Sequence, residues 1–226
     1  MTRRGFAELL AIVAPPACVA CREPLPRADA LLCADCLREL PWLRGRRCGR
    51  CGLPRHRGGG CPSASAAFAR SWAPLAYDGP ARKLVQALKL RAALPVVGLM
   101  AAQIAATLPH ELRAGAVVPV PPQPARRRTR GFDPAGALAH ALAGRLQLPL
   151  TPILARRDRT RRQTRAGRST RRESGRIAIT ATAPAPTTVL LVDDVHTTGA
   201  TLDACARALV EAGAKAVTAV TYARTL

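Results

Sequence analysis

The stretch Val189-Leu190-Leu191-Val192-Asp193-Asp194-Val195-His196-Thr197-Thr198-Gly199-Ala200-Thr201 limits what this chain can fold into more than any other. Four consecutive apolar residues, β-branched at both ends, read as a buried strand. The helical pattern over residues 202–211 ends at Gly213, a residue free to adopt the left-handed conformation that closes helices, and residues 216–222 read as a second strand. This is a β-α-β unit, so the two acids and the Thr/Gly loop fall at the carboxyl end of a parallel strand, where open α/β sheets bind ligands. Ionised Asp193 and Asp194 are suited to accept hydrogen bonds from the vicinal hydroxyls of a ribose. Thr197, Thr198, Gly199, Ala200 and Thr201 offer successive backbone N–H groups and three hydroxyls at a helix start, with Gly199 permitting close backbone approach. Such a loop can cradle a phosphate monoester without a lysine. One sugar carrying a 5-phosphate satisfies both halves, whereas an ordinary β-α turn explains only one or two of these residues.

Seven of the eight cysteines precede residue 62, as three C-x-x-C pairs (Cys18/Cys21, Cys33/Cys36, Cys48/Cys51) followed by Cys61 alone. Two C-x-x-C turns can place four thiolates at the corners of a tetrahedron around one ion. Cys18, Cys21, Cys33 and Cys36 form the best complete four-cysteine zinc site, closed and therefore structural. Cys48, Cys51 and Cys61 lack a fourth cysteine where one is expected, at Ala64, and His56 is the candidate to complete that set. Exchange of partners between the clusters, such as Cys18/Cys21 with Cys48/Cys51, stays open at this level. A disulfide cluster or a redox C-x-x-C fits less well, because no thioredoxin-like strand and helix flank a pair. A segment of this length with Gly58-Gly59-Gly60 and few large apolar residues needs such a staple to fold. Cys205, on the helical stretch after the Thr/Gly loop, reads as core filler.

The chain of 226 residues suits one ordinary domain plus a small one, which places a cysteine-rich domain over 1–66 and an α/β domain over 67–226. A net charge of +21 points to phosphorylated ligands or nucleic acid. Lysine contributes only Lys83, Lys89 and Lys215, so part of the arginine load is compositional. No run approaches the roughly 20 apolar residues of a membrane span. Arg3 and Arg4 before the apolar residues 6–14 mimic a signal peptide, but Glu8 interrupts that segment and Pro15-Pro16 closes it early. The expectation is a cytoplasmic protein with no membrane insertion and with reduced thiols.

Residues 189–201 resemble the phosphoribosyl pyrophosphate signature of type I phosphoribosyltransferases. The order of features extends the likeness: cysteine pairs, then Tyr77-Asp78-Gly79-Pro80 with Leu84, Leu88 and Lys89, then Val-Pro-Val-Pro at 118–121, then Arg130-Gly131-Phe132. Over essentially the whole chain this is similar to the ComF family of competence-associated proteins. The resemblance implies a double zinc ribbon followed by a phosphoribosyltransferase-like parallel sheet flanked by helices, with a part in natural transformation. It implies structural zinc, phosphoribosyl pyrophosphate with Mg as ligand, and single-stranded DNA and other DNA-uptake proteins as further partners.

The resemblance also makes Val117-Val118-Pro119-Val120-Pro121, a short buried strand entering a turn, the start of the pyrophosphate loop. Arg126, Arg127, Arg128 and Arg130 follow, and the guanidinium fork suits phosphate oxygens or a nucleic-acid backbone. Asp133 reads as an N-cap with Pro134 at the first helical position. Ten arginines between positions 156 and 176 read as a mobile basic loop, equivalent in the resemblance to a hood over the site, with Gln163 and Arg171 in register. The residues name no acceptor and no general base. No cysteine stands where a glutamine-hydrolysing step needs one, so amidophosphoribosyltransferase activity is not expected. Residues 81–90 read as a helix with Leu84, Val85 and Leu88 inward and Arg82, Lys83 and Lys89 outward, and residues 133–147 as another. Two readings of function follow: a phosphoribosyltransferase in which Asp193 and Asp194 hold the ribose, or a non-catalytic single-stranded DNA-binding factor that keeps the pocket for binding.

Overall fold

A computed structural model describes residues 16–27, 29–56, 60–113, 115–125, 129, 131–156 and 178–226. Arg126, Arg127, Arg128 and Arg130, the N-terminal stretch and the hood positions Gln163 and Arg171 lie outside the described residues. Elements in chain order are helix α1 (Ala34–Arg38), strands β1 (Arg70–Trp72) and β2 (Leu75–Ala76), helices α2 (Gly79–Arg91) and α3 (Pro95–Thr107), strand β3 (Ala116–Pro119) and helix α4 (Pro134–Leu146). They continue with strands β4 (Leu154–Arg156), β5 (Ile179–Ala181) and β6 (Thr188–His196), helix α5 (Ala200–Glu211) and strand β7 (Ala216–Arg224).

The main sheet runs β1-β7-β6-β3, with β2 extending the β1 edge against β7, and all its pairings are parallel. β6 shows why its apolar run is unbroken. Leu190 and Val192 face a core built with α2, α3 and α4, while Val189 and Leu191 face a second core built with α5. With helices on both faces, each position of the two-residue strand period is buried, and none is left to be polar. β6 and β7 each run two or more residues longer than their apolar patterns predict, so the acidic pair and His196 are inside the strand and not after it. Helix α5 ends as expected: Gly213 has φ +106°, its N–H donates to Val210 O at 3.0 Å, and the Ala214 N–H donates to Leu209 O at 2.9 Å, the bond pair of a Schellman cap.

Helix α3 escaped the sequence reading. Val96, Val97, Met100, Ala101 and Ile104 are all buried, and the helix is apolar on most of its circumference, so it has no amphipathic period to detect. Strands β1, β2, β4 and β5, of two or three residues each, were too short to register. Two readings need correction. Lys89 does not point outward with Arg82 and Lys83: it is half-buried and turned onto Asp194. Arg156 is not in a loop, because it sits on β4, paired antiparallel with Ile179.

The cysteine-rich segment is stitched to the sheet. Trp42 bridges Leu75, Leu43 N–H donates to Pro74 O at 2.8 Å, Ala76 N–H donates to Pro41 O at 2.9 Å, and Leu40 enters the first core. No helix among the described residues is long and apolar enough to cross a membrane.

Candidate ribose-phosphate cleft and metal centres

The connection leaving β3 leads to α4 on one face of the sheet, and the connection leaving β6 leads to α5 on the other. Adjacent strands whose chains depart to opposite faces leave a crevice at their carboxyl ends. A cleft of about 280 Å³ occupies that position. Val120 and Pro121 after β3, Phe132 and Asp133 before α4, and Asp193, Asp194, Thr197, Thr198, Gly199, Ala200 and Thr201 from β6 and α5 all line it. All seven of these β6–α5 residues, expected from sequence to act together, therefore share one cleft. Lys89 and Arg156 also line it, and sequence reasoning missed both as site residues.

The acidic pair is asymmetric. Asp194 is 6% exposed and its Oδ1 lies 2.7 Å from Lys89 Nζ. Asp193 is half-buried and accepts the Asp194 backbone N–H on Oδ1 at 2.8 Å. Burial, then the neighbouring Asp194 charge, pushes the Asp193 carboxyl up to about 8, against the opposing pull of that N–H and of Lys89. The pair thus presents one carboxylate neutralised by a lysine and one carboxyl able to hold a proton, a set with both donors and acceptors for a sugar diol.

The loop after β6 has the donors its sequence promised. The N–H groups of Thr197, Thr198 and Gly199 make no hydrogen bond among the described residues, and Ala200 N–H has only a 3.4 Å contact to Thr198 Oγ1. They precede the first turn of α5, whose own amides lack helical partners. Gly199 has φ +81°, and a Cβ there would stand 2.7 Å from His196 Nε2, so the loop needs glycine for conformation and for space. Thr197 and Thr198 are exposed and Gly199 and Thr201 half-buried. Asp133 holds the N-cap position of α4 with Pro134 at N1, but its side chain makes no capping bond. Its Oδ2 lies over Gly136 in the first turn of α4, the residue also lines the cleft, and its charge raises Asp193.

Eight ligand candidates form two groups. Cys18, Cys21, Cys33 and Cys36 converge, as do Cys48, Cys51, His56 and Cys61, each set with its donor atoms within 4.8 Å of one another. This settles the pairing left open by the spacing. Cys21 Sγ and Cys33 Sγ are 3.7 Å apart, Cys48 Sγ and Cys61 Sγ 3.8 Å, and Cys51 Sγ and His56 Nε2 3.3 Å. Zn–S bonds of ~2.3 Å in a tetrahedron separate sulfurs by about 3.8 Å, so both sets fit structural zinc. Backbone geometry supports thiolate formation at one cysteine of each set, Cys18 and Cys48, whereas burial pushes Cys36 and Cys51 up. Burial opposes it at Cys18, but the N–H groups of Cys21, Cys33 and Ala20 outweigh burial and bring that thiol down to about 6. The N–H groups of Cys51 and Arg50 likewise bring Cys48 to about 6. Cys205 is fully buried in the α5 core, as expected of a filler, and burial raises its pKa.

Comparison with known families finds two matching domain models. Residues 9–65 match the double zinc ribbon domain, and residues 128–225 match the phosphoribosyl transferase domain. No curated protein matched the chain. The chain thus joins a segment similar to a double zinc ribbon to an α/β sheet similar to a phosphoribosyl transferase domain.

Proposed function

We propose that this protein is a ComF-type phosphoribosyltransferase-domain protein, divided near residue 66, that binds phosphoribosyl pyrophosphate in the cleft between β3 and β6. The observation that carries this reading is the convergence of Asp193, Asp194 and the 197–201 loop on one cleft, with the N–H groups of Thr197, Thr198 and Gly199 unspent among the described residues. In this reading the acidic pair holds the ribose hydroxyls and the loop holds the 5-phosphate. Arg126, Arg127, Arg128 and Arg130 would hold the pyrophosphate, and Mg bound with the ligand would supply further charge neutralisation there. As the bond between the anomeric carbon and the pyrophosphate oxygen breaks, positive charge develops on that carbon, pyrophosphate leaves with the electron pair and the acceptor nucleophile forms the new bond; the protein contributes mainly positioning and charge stabilisation. The site offers Lys89 and Arg156 as additional cations. DNA uptake in the cytoplasm, alongside other uptake proteins, is the setting that the ComF-like order of the two segments supports.

The test is calorimetric titration of phosphoribosyl pyrophosphate with Mg into the wild type and into an Asp193→Asn/Asp194→Asn variant, followed by pyrophosphate-release assays over candidate bases. Binding lost in the variant, with release driven by one base, makes this an enzyme with a named acceptor. No binding by folded, zinc-loaded wild type overturns the reading.

The charge of +21 favours a second reading, a single-stranded DNA-binding factor that keeps the pocket for regulation. Aromatic residues are 3% of the chain, so backbone contacts dominate in this case and base stacking contributes little. Affinity then falls with a log-log salt slope of about −0.7 per phosphate neutralised. A flat salt response excludes it.

A further inference from the structure

Three polar side chains buried behind the 197–201 loop have no place in the ligand chemistry above. His196, the last residue of β6, is 1% exposed. Its Nδ1 lies 2.8 Å from Ser71 Oγ, and Arg224 Nη1 lies 2.6 Å from Nδ1 and 3.1 Å from Nε2. Phe68 closes the ring edge-on at 5.9 Å between centroids. The Nε2 edge faces Gly199 closely enough to exclude a Cβ. The imidazole is therefore the floor on which the loop rests, and Ser71 and Arg224 fix its orientation. Burial, then the Arg224 charge, holds the ring pKa down near 3, so the imidazole is neutral and Nδ1 is available to accept from the guanidinium.

The same three residues back onto the second cysteine cluster. Gly52, which follows Cys51, has φ +74°, and a Cβ there would stand 2.6 Å from the Ser71 carbonyl oxygen. The metal knuckle thus packs directly on β1 beside the serine that holds His196. Arg47, preceding Cys48, stacks on Trp72 at 4.0 Å and donates to Ala73 O at 2.7 Å, which ties the same knuckle to the same strand. Arg224 is 4% exposed, and among the described residues no carboxylate lies within ion-pair distance of it. Burial disfavours its charge, and the groups that favour it are the sulfurs of the second cluster, Cys51, Cys61 and Cys48. A divalent ion held by three thiolates and a neutral imidazole leaves the cluster with one net negative charge, the complement of one guanidinium. The first cluster meets a different element: Arg91 of α2 donates to Val19 O at 3.3 Å, Val19 and Leu32 pack on the first core, and Cys18, Leu25 and Cys36 form a small core of their own, with no contact to Ser71, His196 or Arg224 among the described residues.

We propose that the Cys48/Cys51/His56/Cys61 metal centre is a positioning element for the phosphate loop, acting through Arg224, Ser71 and His196, and that the Cys18/Cys21/Cys33/Cys36 centre has no such role. This rests on the reading of residues 197–201 as a phosphate loop. An ion at the second centre fixes the knuckle against β1 and holds the counter-charge of Arg224 in place. Arg224 and Ser71 then orient the ring beneath Gly199, so the loop amides are aimed before the ligand arrives. Outer partners of this kind typically change affinity by roughly 10–100-fold when removed.

The experiment uses the full chain, with metal content by native mass spectrometry, phosphoribosyl pyrophosphate plus Mg as calorimetric probe, and amide hydrogen exchange without ligand. Cys61→Ser is expected to retain one metal, to weaken binding at least about tenfold, and to speed exchange at 197–201 while 189–192 stay protected. Cys21→Ser loses the other metal with binding changed less than about twofold. His196→Phe keeps ring volume and both metals yet shows the same loss as Cys61→Ser, and His196→Asn, which restores an acceptor near Nδ1, regains part of it. Unchanged affinity and exchange in Cys61→Ser, or an equal fall in Cys21→Ser, overturns the proposal. If Cys61→Ser loses protection at 189–192 it is misfolded, and His196→Phe against His196→Asn decides. If the wild type binds no phosphoribosyl pyrophosphate, the functional reading fails, and the exchange comparison still decides whether the second centre orders the loop.

Discussion

Lys89→Met should expose how much of the sheet's stability depends on one ion pair beside the cleft. Lys89 Nζ and Asp194 Oδ1 are 2.7 Å apart, with side-chain exposures of 27% and 8%. At an effective dielectric of ~20 this separation corresponds to an attraction of about 6 kcal/mol. Desolvation of Asp194 and the partial screening of Lys89 offset more than half of it, leaving a pair coupling of about 2 kcal/mol. The single variant costs more than the coupling, about 3 kcal/mol, because it leaves a carboxylate buried on β6 without its cation. In an Asp194→Asn background the same lysine change should cost only about 1 kcal/mol, since no uncompensated charge remains. Urea denaturation of the four proteins of this double-mutant cycle, at fixed zinc and neutral pH, measures the coupling. A value below about 0.5 kcal/mol would refute the reasoning, because it would mean that Asp194 is as well solvated as a surface acid.

Other consequences follow from neighbouring features. Folded-state Asp193 titrates near 8 rather than at its ordinary 3.8, so the folded chain holds an extra proton between those values and stability falls as pH rises through that window. Asp193→Asn should flatten this slope and exceed the wild type in stability at pH 8, and parallel thermal-melting curves would argue against a raised pKa. Gly199→Ala should cost roughly 1–3 kcal/mol of strain at φ +81° and abolish calorimetric binding of phosphoribosyl pyrophosphate; retention of both would show that the loop relaxes past His196. Native mass spectrometry should count two zinc ions in the wild type and one in His56→Ala if the second set holds its metal as the 3.3 Å Cys51–His56 approach indicates, whereas two ions in the variant would remove His56 from the ligand set.

The β-α-β unit around the acidic pair was legible in the sequence because its cues are local: an apolar run, two acids, a Thr/Gly loop and a glycine at the helix end all lie within about two dozen residues. The cysteine pairs were legible for the same reason, since C-x-x-C spacing by itself brings two sulfurs to one point. The grouping of the pairs in chain order was the preferred reading and is the one the structure shows, but spacing alone left exchange between clusters open because that depends on how the ribbon folds back; α3 was not legible, since burial on most sides erases any period. Lys89 looked like an outward helix residue because helical periodicity places it beside Lys83 and knows nothing of Asp194 more than 100 residues away. His196 stood inside the most informative motif without an assigned role, since its partners Ser71 and Arg224 come from two other strands and meet it only through the parallel register of the sheet. Sequence alone determined which polar groups the loop carries and that the cysteine sets offer ligands suited to zinc. Only tertiary structure decided which cations face the acids and which cysteine set packs on β1, because both depend on contacts made across the sheet.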